Sequence, residues 1–344
     1  MAKAQTDYNA LVRKLRQEGP GRLYLLYGEE DYLRESFFGE LKKLCLDGGA
    51  DEFNYRRLSA AGMALDPLLE AIEALPFLGE RTLVELCDFD INKCRDKNAE
   101  IFKNLDIPEY CTLVIILRQG YEPDGRLSVF KSLKQAGEVI EFTPQAQSEL
   151  TRWIYRRFEA LGKTIDRTNA EHLIFLSGGL MGGLLQDIEK LAAYSKGPEI
   201  SRGDIDAVVT RLPEAEVFEM SDRLAQGNFD AAASVLSELL EMRESPTRLL
   251  SIIGQQFRSL FAARFALDSG LDRGYIMEVS GIRYDSIARK LIGAARGFSL
   301  EQLADILEYC AETDYKMKST GIDDAGLLMD LLFRVALRKA GAFK

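Results

Sequence analysis

The chain has 344 residues, 47% hydrophobic and 28% charged, with a formal net charge of −10. That length exceeds one ordinary core, so two or three domains of a globular protein are expected. The acidic balance excludes a chain built to coat DNA; any nucleic-acid contact is expected to be local or shared with partner chains.

Residues 7 to 18 read as an amphipathic helix with Tyr8, Leu11 and Leu15 on one face. Leu23 to Tyr27 is a short apolar and aromatic run, expected as a buried strand. Gly28 breaks it, and Asp31 begins a helix expected to reach Leu46 and to run into Gly48-Gly49. Phe53 to Leu58 is a second strand candidate. Asp66 to Leu75 is a short helix, with Leu65, Leu68, Leu69 and Ile72 at helical spacing and Pro76 as its stop. Strands are expected over Arg81–Cys87, Cys111–Leu117 and Glu138–Phe142, with helices near 98–104 and 127–135. Strands alternating with helices at this pitch predict a parallel sheet covered on both faces.

Thr143-Pro144 ends that block, with Thr143 suited to an N-cap and Pro144 to the first helical position. The strand signal then disappears. Helices are expected at 145–162, 168–176, 182–195 and 202–210, the last opened by the capping-box pattern Ser201-Arg-Gly-Asp204. Beyond Pro213 come 214–226, 228–242, 246–269, 273–280, 284–296, 300–319 and 323–340, with Ser245-Pro246 and Ser299-Leu-Glu-Gln302 as starts. Short loops between long amphipathic helices predict an antiparallel bundle.

The turn after the first strand is where a nucleotide-binding α/β protein places its phosphate loop. Such a loop needs closely spaced glycines, a lysine and a Ser/Thr. Here Gly28 is followed by Glu29, Glu30 and Asp31, whose carboxylates would repel a triphosphate. The turn therefore reads as a degenerate nucleotide site, or the fold as a non-nucleotide α/β protein. Asp88 and Asp90 offer the nearest approach to a Mg²⁺-holding strand end; without a lysine loop opposite, they read as solvated loop acids. Gly178-Gly-Leu-Met-Gly-Gly183 precedes a helix and would suit an anion at a helix N-terminus. It follows a helix rather than a strand, so a helix–helix turn is the simpler reading.

Leu75-Pro-Phe-Leu-Gly79 places large apolar side chains between two chain breakers. Leu75, Phe77 and Leu78 at a helix-end tip have the form of a plug for a partner's groove; core packing is the alternative. The single histidine, His172, reads as an ordinary helix-face residue, which leaves histidine-based catalytic machinery without support. Cys45, Cys87, Cys94, Cys111 and Cys310 form no CxxC pair and no zinc spacing, and are expected as buried thiols of a reducing compartment. No apolar run approaches the roughly 20 residues of a membrane span, and the N-terminus lacks a signal-peptide core, so a cytoplasmic location is expected. Arg258, Arg264, Arg289, Lys290, Arg296, Lys316 and Lys318 are interspersed with acids and read as a mixed solvated surface rather than a DNA-facing strip.

In order and spacing, several stretches resemble the delta subunit of the bacterial DNA polymerase III clamp loader. They are Leu23-Tyr-Leu-Leu-Tyr-Gly-Glu-Glu30, Leu75-Pro-Phe-Leu-Gly-Glu-Arg81, Asp187-Ile-Glu-Lys-Leu-Ala-Ala-Tyr194, Gln255-Gln-Phe-Arg258 and Asp314-Tyr-Lys-Met-Lys-Ser319. The resemblance covers essentially the whole chain. It implies an α/β plus all-α protein: an AAA+-like parallel-sheet domain without a phosphate loop (1–143), a small helical lid (144–212) and a helical collar (213–344). It also implies a subunit without catalytic residues, cofactor or metal, which binds the sliding clamp and opens or holds open one ring interface. Partners implied are the clamp, the gamma/tau and delta prime subunits, and primed DNA through the assembled complex. The clamp-contacting element falls on Leu75, Phe77 and Leu78. Two departures stand out: Pro76 in that element, and the glycine-rich turn at 178–183 in place of a more polar stretch. The alternatives are a divergent Mg²⁺-dependent nucleoside triphosphatase using Asp88 or Asp90, and the sister delta prime subunit, whose Ser-Arg-Cys triplet is missing here.

Overall fold

The computed structural model describes residues 7–46, 51–60, 66–94 and 96–341. They divide into two compact units, one running through Gln145 and taking in Leu180–Gly182, the other formed by Ala146–Gly179 and the chain from Gly183 onward.

In the first unit the elements are α1 (Tyr8–Glu18), β1 (Leu23–Gly28), α2 (Asp31–Cys45), α3 (Asp51–Asn54), β2 (Tyr55–Ser59), α4 (Asp66–Glu73) and β3 (Thr82–Cys87). A 3-10 turn (Ile91–Lys93), α5 (Asp96–Lys103), β4 (Cys111–Ile116), α6 (Ser128–Ala136) and β5 (Glu138–Phe142) complete it. The five strands form one sheet in the order β2-β3-β4-β1-β5, every pair parallel. A parallel sheet covered on both faces needs strands that are apolar on both sides, and Leu23–Leu26 and Leu113–Ile115 are almost wholly buried. One face carries Leu23, Leu25, Val84, Leu86, Leu113 and Ile115 against Leu68, Ile72, Phe102, Val129 and Leu133 from the helices. On the other, the Phe37 ring packs against Tyr24 and Phe142, with centroids 6.1 and 5.8 Å away. Each such fully buried side chain stabilises the fold by about 1.5–3 kcal/mol relative to exposure.

The second strand begins at Tyr55, not Phe53, because Asp51–Asn54 forms a helical turn that enters it. The helix expected to reach Leu75 stops at Glu73, whose carbonyl accepts from the Tyr110 hydroxyl at 3.1 Å. Pro76 disfavours helical backbone at the residue before it, which sharpens that stop. Leu65 and Gly48-Gly49 lie outside the described residues.

The second unit contains α7 (Gln147–Ala160), β6 (Thr164–Ile165), α8 (Arg167–Ser177), α9 (Met181–Tyr194, its first residues grouped with the first unit), β7 (Glu199–Ile200) and α10 (Arg202–Val208). It continues with α11 (Pro213–Ala225), α12 (Phe229–Glu241), α13 (Pro246–Ser269), α14 (Arg273–Ser280), α15 (Asp285–Ala295), α16 (Leu300–Ser319) and α17 (Asp324–Ala340). Thr143 and Pro144 do not start α7: Ala146 is its N-cap, and 143–145 carry no regular structure. The strand signal does not vanish altogether, because β6 and β7 pair in parallel as two-residue strands too short to show a period. Both expected capping boxes form. The Ser201 hydroxyl accepts from the Asp204 N–H at 3.2 Å, and the Ser299 hydroxyl from the Gln302 N–H at 3.1 Å. The long α13 is central; Leu249, Ile253, Phe257 and Leu260 are buried where it meets α11, α15, α16 and α17.

Candidate functional site

In a parallel sheet all strands end on one edge, and α/β proteins bind their ligands at that carboxyl edge. The β1–α2 turn lies there on a strand flanked by β4 and β5. Gly28 has φ +125°, and a Cβ on it would lie 2.2 Å from the Phe142 carbonyl oxygen. Glycine is thus required by the close approach of β5. Two of the turn's backbone donors are already spent: the Glu30 N–H donates to Phe142 O at 3.0 Å and the Asp31 N–H to Glu29 O at 3.2 Å. The Gln119 amide and the Gly120 N–H in turn hold the carbonyls of Glu29 and Gly28. A phosphate cradle needs free N–H groups, and these two face protein carbonyls.

The three acids do not form one negative patch. Glu30 is only 1% exposed and accepts from the Met181 N–H at 3.2 and 3.3 Å. Burial pushes its carboxyl up to about 7, against the Met181 and Tyr32 N–H groups, which pull it down. The Met181 N–H at the start of α9 is therefore met by the chain's own carboxyl group. Asp31 is ion-paired with the buried Arg34, whose guanidinium also donates to the Leu117 carbonyl at 3.1 Å. Burial raises the Asp31 carboxyl and Arg34 opposes that rise. Arg34 carries no local sequence signal; only its burial reveals it.

Asp88 and Asp90 are taken up by neighbours. Asp88, at φ 57°, accepts from the Ser59 hydroxyl at 3.0 Å and from Arg118 at 3.1 Å, and both hold its carboxyl below the usual range. Asp90 accepts from the Tyr121 hydroxyl at 2.5 Å and caps the 3-10 turn at Lys93. The Tyr121 bond, followed by Lys93, lowers its carboxyl in the same way.

The opposite, amino edge looks different. Residues 74–81 carry no regular structure between α4 and β3. Leu75, Phe77 and Leu78 are 76%, 53% and 77% exposed. Beside them Phe53, 66% exposed, sets its ring against Phe77 with centroids 5.2 Å apart. The parallel pairing of β2 with β3 (Tyr55 opposite Leu83) brings the segments entering the two strands together. Scattered exposed apolar residues are ordinary, but four at one tip, two with rings in contact, are a patch. Sequence reading missed Phe53 by assigning it to a strand; the helical start Asp51–Asn54 turns it outward.

His172 is not a surface residue. It is buried in α8, with Nε2 2.8 Å from an Asp206 carboxylate oxygen, and burial lowers its pKa. Gly178 ends α8 in left-handed conformation and α9 begins at Met181, so the helix–helix turn is confined to 178–180 and Gly182 and Gly183 lie in the first turn of α9. Of the basic side chains, Arg264, Arg289 and Lys318 pair with Asp268, Glu171 and Asp314, and Lys290 lies over the Phe175 ring. Three of the seven thus stand beside acids, as on a mixed surface. The five cysteines are free thiols, three of them buried. Among the described residues no helix is long and apolar enough to cross a membrane.

The DNA polymerase III delta-subunit profile matches residues 24–143, and the profile of that subunit's C-terminal domain matches 214–335. The DNA polymerase III subunit delta of Bacillus subtilis (strain 168) is 28% identical over 329 residues, covering 92% of this chain and 93% of the relative. The probable DNA polymerase III subunit delta of Aquifex aeolicus (strain VF5) is 21% identical over 321 residues, 90% of each. Among solved structures, the DNA clamp loader delta protein of Bacillus subtilis superimposes with a TM-score of 0.55 at 23% identity. That match covers 96% of this chain and 99% of the other, and it shows the fold. The two profile matches together take in more than half of the sequence, and the chain belongs to the DNA polymerase III delta-subunit family.

Proposed function

We propose that this clamp-loader delta subunit grips the sliding clamp with the tip formed by Leu75, Phe77 and Leu78, and opens or holds open one ring interface. The clamp can then be loaded on primed DNA, while the chain itself hydrolyses no ATP. The observation that carries the reading is the tip: three large apolar side chains, each more than half exposed, on a segment that packs beneath nothing. A few such side chains, buried in a partner's pocket, supply most of the affinity of a small interface. Grip becomes opening only through differential affinity, so the tip must bind the open ring more tightly than the closed one.

On this reading the body of the first unit is a lever mount rather than a motor. The spent N–H groups after β1 and the Arg118-paired Asp88 favour it over the triphosphatase alternative. Residues 144–212 would serve as a lid. Residues 213–344 would form a collar that assembles with gamma/tau and delta prime in the cytoplasm, and ATP on those neighbours would expose or hide the tip. Exposed Tyr315, Met329 and Phe333 on α16 and α17 suit a helical collar that meets other subunits. The test is to mix the purified chain with the sliding clamp of the same organism on a sizing column, and to titrate the chain alone with Mg²⁺-ATP. Co-elution without micromolar ATP binding is expected. Micromolar ATP binding with separate elution would favour the triphosphatase.

A further inference from the structure

We infer that Asn54 is a positioning residue for the clamp-gripping tip, holding the backbone of Phe77 in its binding conformation before the clamp arrives. The inference rests on the reading of the tip given above.

Phe77 lies outside any strand and has no ladder partner for its main-chain groups. The Asn54 side chain supplies both. Its Nδ2 donates to the Phe77 carbonyl at 2.9 Å, and its Oδ1 accepts from the Phe77 N–H at 2.7 Å. One amide thus does for Phe77 what a neighbouring strand would do. This pairing needs a donor and an acceptor on two separate atoms of one short side chain, which Asn provides; ionised Asp has no donor, Ser has only one polar atom and Leu has none. Asn54 is 5% exposed, so its polar atoms have little access to water and depend on these bonds.

The surrounding residues are consistent with that task. A Cβ on Gly79 would sit 2.8 Å from the Asn54 Nδ2, so the glycine leaves room for the amide to reach Phe77. Leu78 follows Phe77 at φ 51°, a left-handed conformation that a leucine seldom adopts, and it is displayed outward. Phe53, the residue before Asn54, buttresses the Phe77 ring itself. Asn54 and Phe53 therefore fix the backbone and the ring of the same residue from one helical turn. The tip buries little surface, so holding it adds little to the core. What it lowers is the ordering cost of binding.

The test is a double-mutant cycle on the full chain, read as affinity for the sliding clamp of the same organism together with the thermal midpoint of each variant. Asn54→Ala is expected to weaken clamp binding about five- to tenfold, the cost of freeing one ordered aromatic and its backbone. Asn54→Asp, which accepts from the Phe77 N–H but cannot donate to its carbonyl, is expected to fall between. Gly79→Ala displaces the amide from the exposed side and should weaken binding without removing a buried group. Asn54→Ala combined with Phe77→Ala should bind no more weakly than Phe77→Ala alone, and Asn54→Ala should speed hydrogen exchange at the Phe77 amide. A full additive loss in the double variant, or parental affinity in Asn54→Ala and Gly79→Ala while Phe77→Ala is impaired, overturns the inference. Parental affinity in Phe77→Ala instead overturns the tip reading on which it rests.

Discussion

The two edges of one parallel sheet have opposite characters. At the carboxyl edge, where α/β proteins hold ligands, three of the described acids are engaged by groups of the protein itself: Glu30 inward with Met181, Asp31 with Arg34, Asp88 with Arg118. At the amino edge, ordinarily given to packing, three large apolar side chains stand in solvent and one buried amide is spent on holding them. The difference shows how one sheet can present two edges of opposite character. Strand order and the two packed faces set the body, and the segments entering and leaving the strands set what each edge displays.

The most severe way to break the comparison is Gly28→Ala. A methyl 2.2 Å from the Phe142 carbonyl, on a backbone at φ +125°, forces β1 and β5 apart. A loss on the order of 3 kcal/mol is expected, checked by chemical denaturation. If Gly28 were kept free to face a ligand, the substitution would leave stability nearly unchanged.

Glu30→Gln probes the same edge more gently, and its effect depends on pH. The folded chain holds the Glu30 proton up to about 7, whereas an ordinary glutamate loses it near 4.5. Between those values the folded state binds more protons than the unfolded one, so stability falls as pH rises through the window and the loss is complete above it. Glutamine keeps an acceptor for Met181 and removes the charge. Its thermal midpoint at pH 8 should exceed the parent's by about 2–4 °C, and the two should converge below pH 4.5. Scanning calorimetry at both pH values checks this; equal midpoints at pH 8 would count against the inward carboxylate.

Leu78→Gly sharpens the contrast from the other edge with the smallest expected change in stability. Glycine relieves the left-handed backbone at φ 51° but adds freedom to the unfolded chain, for a net effect within about 1 kcal/mol on the stabilising side. Clamp affinity should nonetheless drop. A tip residue that served packing would show the reverse.

Much of the fold was legible in the sequence, because apolar runs of strand length and long helical periods both carry strong local signals. The bounds of α13 and α16 and both capping boxes follow from residues within one turn of each other. What was hidden depends on distant partners. Glu30 reads as a solvent-facing acid until Met181, 151 positions away, supplies its donor. The apolar, aromatic start of Phe53–Leu58 suits a strand as well as a helical turn, so Phe53 was placed in β2 and its contact with Phe77 was lost with it. The exposure of Leu75, Phe77 and Leu78 was half-legible: the chain breakers around them argued against core packing, but the sequence contains nothing that shows what holds the tip. That part belongs to Asn54, a buried asparagine with no motif of its own.

The most direct measurement of the central claim is the clamp affinity of Phe77→Ala beside that of the parent, with the thermal midpoint of both recorded. A residue that is half exposed and works only in the complex should lose more than tenfold in affinity while the midpoint stays within about 1 °C. Unchanged affinity, or a loss of affinity matched by a collapse of the fold, would contradict a protein that grips its ring by this tip.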